Sequence, residues 1–200
     1  MIALIDYGAG NLTSVRKALA AVGAEVRVPR VPGDLAGADG VVVPGVGHFG
    51  ATAVLDEDWR ETVRAGVADG RPLLGICLGL QWLFEESAEA PDLQGLGLFK
   101  GRCTRLSGDV KVPHVGWNTL EREGGSWLLE GVAPGAHAYF THTYAAPITG
   151  ETVATTLHGV TFASAVERDM VAGVQFHPEK SGEVGLRILR NFIARCTANL

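Results

Sequence analysis

Four short apolar runs mark the first half of the 200-residue chain: "IALID" (2–6), "AEVRV" (24–28), "GVVVPG" (40–45) and "PLLGIC" (72–77). Helical patterns stand between them. In "NLTSVRKALAAVG" (11–23), Leu12, Val15, Leu19 and Val22 recur at helical spacing, with Asn11 placed to cap the start and Gly23 to stop the end. A second helical stretch runs from about Ala51 to Ala68, and a third through "LQWLFEES" (80–87). Strands that are apolar throughout and alternate with helices predict right-handed βαβ units, and so a mostly parallel sheet buried on both faces.

The texture changes after Pro91. "GLFKGRCTRL", "HAYFTHTYAA", "ETVATTLHG", "VTFASAVER" and "MVAGVQF" read as short strands joined by turns, which extend the same sheet antiparallel or form a small second sheet packed on it. The chain closes on "GEVGLRILRNFIARC" (182–196), whose Gly185, Leu189, Phe192, Ile193 and Cys196 align on one helical face that docks back on the sheet. With no repeats or linker-like segments, one α/β domain over 1–200 is the expectation, with a central, mostly parallel sheet flanked by helices and an antiparallel extension in the second half.

Composition narrows the function. A chain that is 46% hydrophobic and 20% charged can bury a large core. A net charge of −5 offers no basic footprint for nucleic acid or an acidic membrane surface. The N-terminus lacks a basic region ahead of its brief apolar run, and no stretch approaches the roughly 20 apolar residues of a membrane span. Three cysteines without paired spacing argue against a disulfide scaffold and against a zinc site. The expectation is a cytoplasmic protein that binds neither nucleic acid nor membrane.

One cysteine stands apart. Gly75-Ile76-Cys77-Leu78-Gly79 places a thiol between two glycines where a strand gives way to a helix. A nucleophile on such an elbow occupies strained backbone and needs small neighbours two residues to either side. The following helix start favours the thiolate, and the Leu78 backbone N–H is expected to be free as an oxyanion donor. Near the other end, "GVQFHPEKS" (173–181) reads as a strand ending in His177-Pro178-Glu179. Residues two apart on an extended segment share a face, so His177 can take the thiol proton while Glu179 orients its other nitrogen. In "VVVPGVGHFG" (41–50), the Gly45-Val46-Gly47 loop can bring backbone N–H groups to the other wall of an oxyanion hole. "YGAGN" (7–11) lacks both a full GxGxxG and a Walker lysine, and is not read as a phosphate cradle. Cys103 and Cys196 are read as packing residues.

"GICLGLQ" with a downstream "FHPE" resembles the class I glutamine amidotransferases, which hydrolyse the side-chain amide of glutamine through a Cys-His-Glu triad. Within that family, "IDYGAGN", "PGVGHF", "KVPHVGWN", "FTHTY" and "GVQFHPEKS" together resemble the glutaminase subunits of imidazole glycerol phosphate synthase, from Asp6 to Ser181. The resemblance implies Cys77 as nucleophile, His177 as general base and acid, and Glu179 as its orienting carboxylate. It implies oxyanion donors at the Val46 and Leu78 N–H groups. It places Gln81, Gly47, Thr143 and Tyr144 on the glutamine substrate, with Glu89 facing its ammonium group. No metal or organic cofactor is implied.

It also implies a partner. Ammonia released into neutral water becomes ammonium, which is not a nucleophile, so a glutaminase without a synthase domain must dock on its acceptor enzyme. That acceptor would be a (β/α)₈-barrel cyclase subunit, forming a heterodimer and converting a ribulosyl aminoimidazole carboxamide nucleotide (PRFAR) to imidazole glycerol phosphate and AICAR. Asn11, Trp117, Asn118, Tyr139 and Lys180 are nominated for that interface, Trp117 being of a residue type that anchors interfaces. The alternatives are the glutaminase of another amidotransferase, such as pyridoxal phosphate synthase, or a stand-alone cysteine hydrolase. The former is not expected to carry "YGAGN" and "HVGWN"; the latter would turn over without a partner.

Overall fold

A computed structural model describes residues 1–198. The first strands are β1 (Ile2–Leu4), β2 (Val26–Arg27), β3 (Gly40–Val43) and β4 (Leu73–Ile76), with helices α1 (Leu12–Ala21) and α2 (Glu57–Ala68) between them. They pair in parallel in the order β2-β1-β3-β4. The late strand β12 (Val171–Val174) adds to β4, also in parallel. Beyond it the direction reverses, through β11 (Val160–Arg168), β10 (Thr152–His158), β7 (His114–Arg122) and β8 (Ala136–His142). Within the described residues this makes one nine-stranded sheet, parallel at one end and antiparallel at the other. A smaller sheet of β5 (Phe84–Ser87), β6 (Phe99–Arg105) and β9 (Tyr144–Ala145) completes the fold, so both arrangements open to the second half are present.

Strand alternation sorts the core into two layers. Ile2 and Leu4 join Val15 and Leu19 of α1, and Ile188, Leu189 and Phe192 of the last helix, α4 (Gly182–Thr197). Ala3 and Ile5 face the other way, against Trp59 and Val63 of α2. The buried face of α4 is Gly185, Ile188, Leu189, Phe192 and Cys196; Ile193 lies beside it, half-buried. Each fully buried aliphatic or aromatic side chain contributes roughly 1.5–3 kcal/mol, so this helix is a firm floor for whatever rests on its N-terminus.

Two helical expectations are corrected. The stretch from Ala51 to Ala68 divides into a 3₁₀ segment (Phe49–Val54) and α2, because Asp56 caps the latter by accepting from the Trp59 N–H at 3.3 Å. "LQWLFEES" is half helix and half strand: α3 (Leu78–Leu83) stops and β5 begins at Phe84. The carbonyls of Trp82, Leu83 and Phe84 accept from the N–H groups of Leu96, Leu98 and Gly97, taking the place of donors from a continuing helix. Gly95 makes this close approach possible, since a Cβ there would stand 2.7 Å from the Trp82 carbonyl oxygen. "HVGWN", which carried no strand expectation, is the first half of β7.

Candidate active site

Cys77 sits between β4 and α3 at φ 54° and ψ −105°, backbone that an L-residue adopts only under strain. Close packing holds it there. A Cβ on Gly75 would lie 2.7 Å from the Gly79 carbonyl, and one on Gly79 would collide with the Val43 backbone. The two glycines therefore let the first turn of α3 press onto the ends of β3 and β4, as the elbow requires. The Cys77 N–H is tied to the Val174 carbonyl at 2.7 Å, which locks the elbow to β12.

His177 and Glu179 meet as expected, but by a different route. His177 ends an extended segment, while Pro178–Lys180 form a 3₁₀ turn for which Pro178 supplies the ready-made φ. The turn brings Glu179 Oε1 to 2.8 Å from the His177 Nδ1, which donates to it; the two side chains are 2% and 1% exposed. Gly185 supports the turn from below, because a Cβ there would meet the Pro178 carbonyl carbon at 2.6 Å. Burial pulls the imidazole pKa down, but the Glu179 hydrogen bond and the neighbouring Cys77 and Glu179 outweigh it and push the group up to about 10. Such an imidazolium holds a proton beside the Cys77 sulfur and can deliver it to a leaving amine.

A cleft of about 270 Å³ opens over the elbow. Cys77, Leu78, Gln81, Gly47, Glu89, Thr143 and Tyr144 line it, so every residue nominated for the substrate is on its wall, together with Pro113, Thr141 and His142. His177, Glu179 and Val46 are not on that wall. Gln81 Nε2 donates to the Tyr144 carbonyl at 2.8 Å, and Glu89 accepts from the Phe49 N–H at 2.7 Å. Gly47 holds φ 102°, which suits glycine. The Leu78 N–H, expected to be free, instead points at the Gly45 carbonyl, at a long 3.4 Å.

Several residues that hold the site went unnoticed in the sequence. Gln175 donates to the Cys77 Sγ at 3.7 Å and accepts from Gln81 at 3.3 Å; its place two residues before His177 on an extended segment was the available signal. Ser181 accepts from the Tyr139 N–H at 2.9 Å and donates to the His177 carbonyl at 2.6 Å, clamping the histidine's backbone. A chain of neutral rings runs back from the cleft wall, starting at His142. His142 Nδ1 donates to the Tyr144 carbonyl at 2.9 Å, its Nε2 lies 3.0 Å from His114 Nδ1, and Asn118 Nδ2 reaches His114 Nε2 at 3.2 Å. Burial holds His142 down to about 3 and His114 down to about 4, so both stay uncharged at neutral pH.

The residues nominated for an interface divide. Trp117 is 56% exposed, stands opposite Tyr139 in the β7–β8 register, and meets it edge to face with centroids 6.1 Å apart. Lys180 Nζ lies 5.7 Å from the Tyr139 ring centroid. Exposed Asn11 caps α1 through the Ser14 N–H, and α1 packs on the turn that carries Glu179. Asn118 faces the opposite side of β7 from Trp117, and its amide donates to the Leu157 carbonyl and toward His114. Cys103 and Cys196 are packing residues: burial pushes both thiols up, Cys196 to about 12. Among the described residues no helix is long and apolar enough to cross a membrane.

Known proteins with this architecture are numerous. The family model for class-I glutamine amidotransferases matches residues 3–196. The imidazole glycerol phosphate synthase subunit HisH of Methanothermobacter thermautotrophicus is 49% identical over 194 residues, covering 96% of this chain and 98% of that protein. The subunit of the same name from Thermococcus kodakarensis is 48% identical over 198 residues, with 96% and 98% covered. Among solved structures, a glutamine amidotransferase superposes with a TM-score of 0.78 at 23% identity, over 98% of this chain and 100% of that one. At that identity the superposition speaks for the fold.

Proposed function

The chain belongs to the class-I glutamine amidotransferases, and from that premise we propose that it is the glutaminase subunit of an imidazole glycerol phosphate synthase, supplying ammonia to a cyclase subunit in histidine biosynthesis. One observation carries the proposed chemistry: the strained Cys77 elbow opens onto a cleft of amino-acid size, with the buried His177–Glu179 pair beside it.

Glutamine enters the cleft with its carboxamide over Cys77. Gln81, Gly47, Glu89 and the Thr143–Tyr144 backbone hold its α-amino and carboxylate groups. The Cys77 thiolate attacks the carboxamide carbon, and the carbonyl π electrons move to oxygen. His177 gives its proton to the nitrogen, the C–N bond breaks, and ammonia leaves behind a γ-glutamyl thioester. His177, now neutral, takes a proton from water, whose oxygen attacks the thioester carbon. The C–S bond breaks to give glutamate, and the thiolate and imidazolium return. Glu179 keeps Nε2 of His177 turned toward the sulfur throughout.

The oxyanion needs two N–H groups. Leu78 supplies one only when the Gly45 carbonyl turns away from it. The same rotation of the Gly45–Val46 peptide turns the Val46 N–H inward. We assign that rotation to the docking of a nucleotide-loaded cyclase on the Trp117–Tyr139–Lys180 face. A structure of the substrate-bound complex with the Val46 backbone unchanged would refute it. A cytoplasmic location and a single functional domain fit this role.

The test is glutamate release from glutamine by the chain alone and with the cyclase subunit plus its nucleotide, with Cys77→Ala as control. Activity that depends on the loaded partner and disappears in the variant is the expected result. Strong activity in the chain alone, unchanged by the partner, would favour a stand-alone cysteine hydrolase.

A further inference from the structure

Tyr7 follows β1 and lies outside every role assigned so far. It is 5% exposed, yet its hydroxyl has no hydrogen-bond partner among the described residues. Burying a hydroxyl without a partner is unfavourable, so a fold that keeps one there calls for an explanation. The hydroxyl's neighbour is Gly45. A Cβ on Gly45 would collide with the Tyr7 oxygen, lie 3.2 Å from its Cζ, and lie 2.8 Å from the Leu78 Cβ on the same side. Gly45 thus packs one face of its Cα against both the Tyr7 phenol and the first residue of α3, and Gly10 closes in from the "YGAGN" turn, where a Cβ would stand 3.4 Å from the Gly45 Cα.

Two imperfect arrangements therefore share one peptide. The Gly45 carbonyl accepts a long 3.4 Å bond from the Leu78 N–H, and the donor beside it, the Tyr7 O–H, has no acceptor. Both are mended by one movement. We propose that Tyr7 is a positioning residue for the oxyanion loop, and that its hydroxyl takes up the Gly45 carbonyl when the Gly45–Val46 peptide turns to present the Val46 N–H to substrate. The Leu78 N–H is released in the same step. Burial, with the charge of Cys77 as a smaller cause, raises the Tyr7 pKa, so the phenol keeps the proton that this bond uses. Glycine at 45 fits both the crowding and the rotation.

This inference rests on the proposed glutaminase function, and Tyr7→Phe tests it separately. The variant keeps the ring that packs on Gly45 and removes only the O–H. The comparison uses the full chain with its loaded cyclase, reading kcat and KM for glutamine, and the thermal midpoint of the chain alone. Removing one neutral hydrogen bond from the active arrangement should lower partner-loaded kcat roughly three- to tenfold, with KM unchanged. The thermal midpoint should hold or rise, because the orphaned hydroxyl is gone from the resting form.

Ammonium-driven product formation by the same complex, which bypasses this active site, should match wild type. A kcat equal to wild type overturns the proposal. So does a lower kcat accompanied by a lower thermal midpoint or a raised KM, which marks Tyr7 as a packing residue only. Partner-dependent activity missing from the wild type itself would instead remove the function on which the proposal rests.

Discussion

His177 carries a proton in a place where burial alone would remove it, and its two neighbours are the reason. The sign of the pH dependence follows. The folded value of about 10 lies above the ordinary 6.5, so the imidazolium stabilises the fold fully below pH 6.5, and that contribution is lost as pH rises through about 10. Glu179→Gln keeps the shape and removes the negative charge. The His177 ring-proton resonance, followed by NMR, should then titrate at least about one pH unit lower. Wild type's stability advantage over the variant should shrink between pH 7 and pH 10. An unchanged titration midpoint would mean that Glu179 only orients the ring. The cysteine was the most legible residue in the sequence, because paired glycines around a thiol have a mechanical meaning. Tyr7 and Ser181 were not legible, since a buried hydroxyl announces itself only when its neighbours are known.

Among the elements, the 3₁₀ turn at Pro178–Lys180 does the most with the least chain. It aligns Glu179 with His177, rests on α4 through Gly185, and sets its last residue, Lys180, against the Tyr139 ring of the proposed interface face. Gly185→Ala should push turn and helix apart. Unfolding in urea should show a loss of about 1–3 kcal/mol, typical of overpacking, together with a drop in kcat from the displaced carboxylate. Stability lost with activity kept would show that the turn tolerates the shift. Pairwise pattern foresaw the His177–Glu179 meeting but attributed it to an extended strand. Helical spacing foresaw α1 and α4 but ran α3 into β5. The end of α3 was decided by backbone hydrogen bonds from the distant 96–98 segment, of which local sequence carries no trace, whereas the 3₁₀ turn closes on its own bonds, from the Lys180 and Ser181 N–H groups to the His177 and Pro178 carbonyls. The helix break at Asp56 differs, because a capping residue stood there to be read.

Across the whole molecule, the parallel half of the sheet carries the nucleophile just beyond β4 and the histidine beyond β12, strands that are neighbours in the sheet though a hundred residues apart. The antiparallel half carries the Trp117–Tyr139 face. Tyr139 joins the halves: its carbonyl accepts the His177 N–H at 2.8 Å, while its ring stands between Trp117 and Lys180. Trp117→Ala should weaken binding of the cyclase by about 2 kcal/mol or more, near thirtyfold. The thermal midpoint should barely move, since exposed side chains contribute little to the fold. Titration calorimetry that finds equal affinity would place the interface elsewhere. The Gly45 carbonyl aimed at Leu78 also bears on how such a chain behaves inside a cell. Under the proposed gating, copies made in excess of their partner would leave the nitrogen donor untouched. The two proposed subunits would then not need to be produced in matched amounts, because the chemistry itself would count only assembled pairs.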